Sequence, residues 1–275
     1  MAKWEQRRYN DYIILHDRGE NMDFSTWTTF LIVCPLVGLA GFVDAIGGGG
    51  GLISLPAYII GGIPMHQAVG TNKLSSACGT TLAVLRFWRN RLINMKLAGP
   101  SVAAAIVGSA LGARLSLLLD ATLMERALYV VLPVTAFIVM NKSLFGAYEG
   151  NQIVLNRRTY MTACLAAFFI GIYDGAYGPG TGTFLIIAFT VFAKMGVGAA
   201  NAQSKVINLA TNLASLTVFL LSGQVLVSLG LAAAVCNMIG GYLGAGLVIK
   251  KGAEIVKPII LAVLALLALK LAGAY

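Results

Sequence analysis

Two lysines and two aspartates stand alone in long apolar surroundings, and their spacing points to chemistry. Lys73 lies in AVGTNKLSSACGTTLAV (68–84) and Lys205 in ANAQSKVINLATNLASL (200–216). A charged side chain at membrane depth costs on the order of 3 kcal/mol even on the gentlest scale, so each lysine needs a partner or a wet cavity. At helical spacing Lys73, Ser76 and Thr80 share one face, and so do Lys205, Asn208 and Asn212. Thr71, Asn72 and Gln203 add polar groups beside them. An ammonium among amide and hydroxyl donors suits a small anion with several oxygens. The plainer alternative is a lysine that snorkels from a helix end while its polar neighbours hold helices together.

Each aspartate leads into a glycine tract. Asp44 precedes Gly47, Gly48, Gly49, Gly50 and Gly51, and Asp174 precedes Gly178-Pro179-Gly180-Thr181-Gly182. Such tracts break a helix and free backbone N–H and C=O groups, which persist at membrane depth only inside protein or beside a water-filled cavity. The N–H groups that open the next helix carry its positive dipole end, and glycine lets a ligand approach them closely. Gly47 to Gly51, Gly178, Gly180, Thr181 and Gly182 are therefore candidate anion contacts. Tight helix packing is the competing use of the same glycines. Three roles stay open for Asp44 and Asp174: pairing with the lysines, capping the broken helices, or taking up a coupling proton.

All these residues come in pairs, which dictates the elements that position them. An offset of 132 residues relates Lys73 to Lys205, Leu97 to Leu229, and Gly108-x-x-Leu111-Gly112-Ala113 to Gly240-x-x-Leu243-Gly244-Ala245. The glycine tracts align at 131 and the aspartates at 130. The chain thus reads as a polar N-terminal segment (1–25), a first transmembrane repeat (26–141), a cytoplasmic linker (142–158) and a second repeat (159–275). Each repeat parses as a helix (27–45, 160–176), a glycine break and a short apolar piece (50–62, 183–193). A lysine-bearing helix (66–86, 198–221) and two closing helices follow (97–119 and 123–141, then 226–249 and 255–273). The short pieces fall below the ~20 residues of an untilted span. The Gly108/Gly112 and Gly240/Gly244 pairs read as helix contacts.

Loop charge sets the relative orientation. Segment 86–96 carries Arg86, Arg89, Arg91 and Lys96 without an acid, whereas its counterpart 218–228 carries no charge. With basic loops held in the cytoplasm, these equivalent loops lie on opposite faces and the repeats are inverted. Each short piece must then cross together with part of its neighbour. A re-entrant short piece would instead make the repeats parallel.

Composition fits an all-α, polytopic helical membrane protein: 58% of residues are hydrophobic and 11% charged, against about a quarter charged in soluble domains. The net charge of +9 does not mark a nucleic-acid surface. Residues 1–24 hold four basic and five acidic side chains, and the other sixteen basic residues lie mostly in short loops, a cytoplasmic-loop bias. The leader lacks the charged and apolar regions of a signal peptide. Cys34, Cys78, Cys164 and Cys236 are scattered singly and read as small hydrophobes. Neither the two histidines (His16 and His66) nor any nucleotide-binding motif calls for a metal or cofactor, and no nucleophile–base cluster calls for a catalytic residue. Arg114, Lys194 and Lys270 read as snorkelling, and Tyr173 and Tyr177 as packing.

At these motifs the sequence resembles the TauE/SafE sulfite-exporter family. The resemblance rests on GFVDAIGGGGGLISLP (41–56), AVGTNKL (68–74), GIYDGAYGPGTGTFL (171–185) and AQSKVINLATNLASL (202–216), four motifs in order across roughly 30–270. The YDGxxGPGTG form is most similar to the YfcA-like branch. The longer, more polar leader departs from the family pattern. The resemblance implies a helical protein of the bacterial inner membrane that moves sulfite, sulfonates or other small anions. The glycine tracts and the polar stretches 71–80 and 203–212 are its implied substrate region. The resulting expectation is a secondary transporter, an exporter, of sulfite or an organosulfonate working by alternating access. Its partners are the small anion and the bilayer, without nucleic acid, and a homo-oligomer stays open. An anion channel and an intramembrane enzyme or scaffold are the alternatives.

Overall fold

The computed structural model describes residues 24–124 and 153–251, with 126, 127, 130 and 134 between them. Its helices are α1 (Phe24–Gly47), α2 (Gly51–Ile60), α3 (Met65–Arg89) and α4 (Met95–Leu118), then α5 (Arg157–Ala176), α6 (Thr181–Val191), α7 (Val197–Leu221) and α8 (Val227–Lys251). Each boundary falls within three residues of the one expected from sequence. The expected helices 123–141 and 255–273, the linker 142–158 and the segment 1–25 lie mostly or wholly outside the described residues, as do Lys270 and His16.

The breaks between α1 and α2 and between α5 and α6 follow from backbone geometry. Gly48, Gly178 and Gly180 sit at φ of 80°, 95° and 80°, a left-handed conformation that glycine adopts without a Cβ penalty. After its break α2 folds back along α1, where the Thr29 hydroxyl donates to the Gly61 carbonyl at 3.0 Å.

Helices α1 to α4 interlock with α5 to α8. In the tightest packings α4 lies along α5, and α8 along α1. Gly108 and Gly112 approach the carbonyls of Phe168 and Ile172 so closely that a Cβ would overlap them. Gly240 and Gly244 meet the carbonyls of Gly38 and Phe42 in the same way. At the offset of 130, Phe168 and Ile172 are the counterparts of Gly38 and Phe42, so one contact is made twice. The glycine pairs thus serve as helix contacts. Two hydrogen bonds repeat likewise: Leu226 N–H donates to Thr71 Oγ1 at 3.0 Å, and Asn94 N–H to Gln203 Oε1 at 3.3 Å. The start of α3 therefore lies beside the end of α7, and the start of α7 beside the end of α3.

Five described helices, α1, α4, α5, α7 and α8, are long and apolar enough to cross a membrane. Helix α3 has the length, 25 residues, but buries a polar run that includes Thr71, Asn72, Lys73 and Ser75. Outward-facing side chains are apolar: Leu31, Leu39, Val107, Leu111, Phe169, Val235 and Ile239 are all exposed. A surface so continuously apolar, with polar groups turned inward, is what a lipid environment selects. The chain is an all-α, multi-pass membrane protein.

Candidate functional site

The two helix breaks meet each other. A Cβ at Gly48 would overlap the backbone of Gly182 and Thr183, and one at Gly51 would press on Pro179. Crossing the breaks in this way also satisfies the carbonyls that end α1. The Asp44 carbonyl accepts from Gly48 N–H at 2.8 Å. Those of Ala45 and Ile46 accept from Asn201 Nδ2 at 3.2 and 3.1 Å, and that of Gly47 from the Thr183 hydroxyl at 2.7 Å. On the other side, the Tyr173 hydroxyl donates to the Pro179 carbonyl at 2.6 Å, and Thr181 N–H to that of Gly178 at 3.2 Å. The short helices begin at Gly50 and Gly180, neither of which has a side-chain cap. Capping, one of the three roles open to the aspartates, is thus met by glycine geometry, Asn201 and Thr183.

Asp44 and Asp174 instead pair with the lysines, each across the molecule. Lys73 Nζ lies 2.9 Å from Asp174 Oδ2, and Lys205 Nζ 2.8 Å from Asp44 Oδ2. The lysines point into the protein rather than snorkelling. Their four charges cancel, so the two ammoniums do not make a net positive basin. The pairs differ in exposure: Lys73 and Asp174 are 1% and 2% exposed, whereas Lys205 is sealed at 0% and Asp44 is 21% exposed. They differ in support as well. Thr181 donates to Asp174 Oδ1 at 2.7 Å, but its counterpart at the offset of 131 is Gly50, so Asp44 has no such hydroxyl.

Between the pairs lies a cavity of ≈ 20 Å³, room for about one water molecule. It is lined by Asp44, Lys73 and Asp174, by Asn72, Ser76 and Thr80 of α3, and by Asn208 and Asn212 of α7. Gly48, Gly50, Gly51 and Gly178 complete the backbone side. Lys205, Gly47, Gly49, Gly180, Thr181 and Gly182 stand behind this lining rather than in it. Thr71 and Gln203 turn to the helix ends, where they accept the backbone bonds described above. Tyr173 packs edge-on against Phe184 and Tyr177 donates to the Met124 carbonyl, so both hold helices together.

A family model described as Sulfite exporter TauE/SafE matches residues 33–271. The chain belongs to this family. It is 34% identical over 246 residues to the probable membrane transporter protein ORF9 of Sinorhizobium sp, which covers 88% of this chain and 91% of that one. It is 34% identical over 224 residues to a probable membrane transporter protein of Haemophilus influenzae, covering 81% and 86%. Identity to the probable membrane transporter protein YfcA of Escherichia coli K12 is 30% over 256 residues, covering 90% and 93%. No solved structure matches it significantly. The protein is a membrane transporter of the TauE/SafE family.

Three lining residues escape a search built on repeated pairs. Ala40, Ser54 and Asn237 face the cavity. The counterpart of Asn237 in the first half is Ala105, so the repeat gives it no weight. Ser54 is buried, and among the described residues its hydroxyl has no hydrogen-bond partner. A polar atom in the middle of the apolar α2 was the available signal for it.

Proposed function

We propose that this TauE/SafE protein is a secondary carrier of a small sulfur oxyanion, sulfite or an organosulfonate, working by alternating access in the bacterial inner membrane. The observation that carries the reading is the reciprocal lysine–aspartate pairing around a polar cavity where the two glycine breaks cross. Asn72, Asn208 and Asn212, with Ser76 and Thr80, supply neutral donors around the Lys73 ammonium, a set suited to several oxygens on one centre. The anion competes with a carboxylate for that ammonium, so binding loosens a link between the halves.

Geometry favours a carrier with inverted repeats. The repeat-related helices α3 and α7 lie end to opposite end, as an in-plane pseudo-two-fold requires. The short helices α2 and α6, at about 15 Å each, reach roughly half-way through a ~30 Å hydrocarbon core. Their breaks therefore meet near the midplane, where inverted-repeat transporters hold substrate. A cavity of ≈ 20 Å³ must widen to admit an oxyanion, which fits a closed stage of an access cycle better than a standing pore. Export is the direction in the family's description.

The test is thermal stabilisation of purified protein by sulfite, sulfate, thiosulfate, taurine and isethionate, with carboxylate controls. A saturable shift with one sulfur oxyanion is expected. It should vanish in the double variant Lys73→Gln, Asp174→Asn, which removes both charges while keeping shape. A shift that survives in this variant, or that every carboxylate reproduces, would overturn the assignment.

A further inference from the structure

We infer that Asp44 is a proton-binding site and that each monovalent anion travels with one proton. This rests on the anion reading of the same cavity and adds its coupling ion. The two pairs are equivalent by repeat but not by environment. Asp174 is buried, with the Thr181 hydroxyl on Oδ1 and Lys73 beside Oδ2. Asp44 lacks the hydroxyl, is 21% exposed and borders the cavity, while its partner Lys205 is fully buried. The cavity borders the carboxylate of this pair and not the ammonium.

The charged groups around Asp44 are few. Helix α7 presents Lys205, α3 presents Lys73 and α5 presents Asp174. Helices α2 and α6 carry no charged side chain, Asp44 is the only one on α1, and α8 has only Lys250 and Lys251 in its last turn. With both aspartates ionised the site is neutral, and a bound monovalent anion would leave one uncompensated negative charge in a low-dielectric interior, at a large cost. A proton taken from water onto Asp44 Oδ2 gives a neutral carboxylic acid and frees the Lys205 N–H. Lys205 keeps its charge behind the cavity lining and offsets that of the anion, so the site is neutral again. Proton and anion therefore favour each other's binding reciprocally. The loaded and empty sites are both uncharged, so both can cross between access states. Net flux then follows the combined anion and proton gradients, and efflux occurs when the anion's own gradient is the larger.

Isethionate is a suitable probe because its sulfonate stays ionised throughout the working pH range. In liposomes holding the purified protein, radiolabelled isethionate should exchange at equal pH. It should accumulate toward the alkaline side of a pH gradient, with no response to a potential imposed by potassium and valinomycin. Accumulation that follows the potential, or ignores the pH gradient, overturns the inference. Lack of exchange at equal pH overturns the anion reading and this inference with it. In wild type, apparent affinity should fall about tenfold per pH unit once Asp44 ionises. Asp44→Asn should bind without pH dependence, and Asp44→Glu should keep the dependence with a displaced midpoint. A wild-type pH profile in Asp44→Asn assigns the proton elsewhere.

Discussion

When one member of a buried ion pair is deleted, the other keeps its charge without water to solvate it. Lys73 and Asp174 are both nearly sealed, so Lys73→Ala or Asp174→Ala should cost about 3–5 kcal/mol in stability. The neutral double variant Lys73→Gln, Asp174→Asn should lie far closer to wild type, and denaturation in detergent would report the difference. Strictly additive costs would contradict the pairing. Lys205→Ala leaves behind a carboxylate that is partly exposed and borders the cavity, so its cost should be smaller than that of Lys73→Ala. Backbone gives a second contrast. Gly48→Ala combines a φ of 80° with overlap on Gly182 and should lose about 1–3 kcal/mol from strain alone. Gly99 has nothing within 4 Å of a Cβ, and Gly99→Ala should be neutral or gain up to about 1 kcal/mol from helix propensity. Equal melting temperatures for the two variants would refute the close approach at the break. At this scale the sequence made the charged residues legible as pairs, because each is costly in an apolar setting and each occurs twice. Which aspartate meets which lysine was not legible, since a repeat gives offsets along the chain and not neighbours in space. Asn237 was invisible to the same logic, having no polar counterpart in Ala105.

Helix limits were the most legible feature, because the length of each apolar run and the glycine at each break are direct physical signals. Helix α3 is the exception in kind. Its own hydropathy does not mark it as a span, and only its repeat relation to α7 placed it. The glycine pairs were legible as contacts, though not that α4 would choose α5 and α8 would choose α1. That choice follows from matching surfaces: Gly112 receives the Ile172 carbonyl, and Gly244 that of Phe42. Because one contact is made twice, Gly112→Val and Gly244→Val should be destabilising to a similar extent, about 1–3 kcal/mol each from overpacking. Thermal unfolding of the two single variants provides the comparison. A large effect at one glycine and none at the other would show that the two interfaces do not carry equal weight.

For the whole molecule the decisive quantity is the direction in which equivalent helices run. The turn after α3 and the turn after α7 are built alike: Asn90 donates to the Arg86 carbonyl at 2.8 Å, and Ser222 to the Val218 carbonyl at 2.9 Å, both on exposed residues. Arg91 and Gly223, the next residues, both take left-handed φ, 57° and 69°. Two turns so similar in backbone differ sharply in charge. Arg86, Arg89 and Arg91 surround the first, and no charged residue surrounds the second. Retention of basic loops in the cytoplasm acts on charge and not on backbone shape, so similar turns can settle on opposite sides of the bilayer. Cysteine placed at Asn90→Cys or Ser222→Cys, in a background where Cys34, Cys78, Cys164 and Cys236 are replaced, reports the side directly. A membrane-impermeant maleimide added to intact cells should label position 222 and spare position 90 until the membrane is opened. Labelling of both from the same side would make the repeats parallel. It would also remove the in-plane symmetry on which the proposed alternating access of the cavity between the two crossed lysine–aspartate pairs rests.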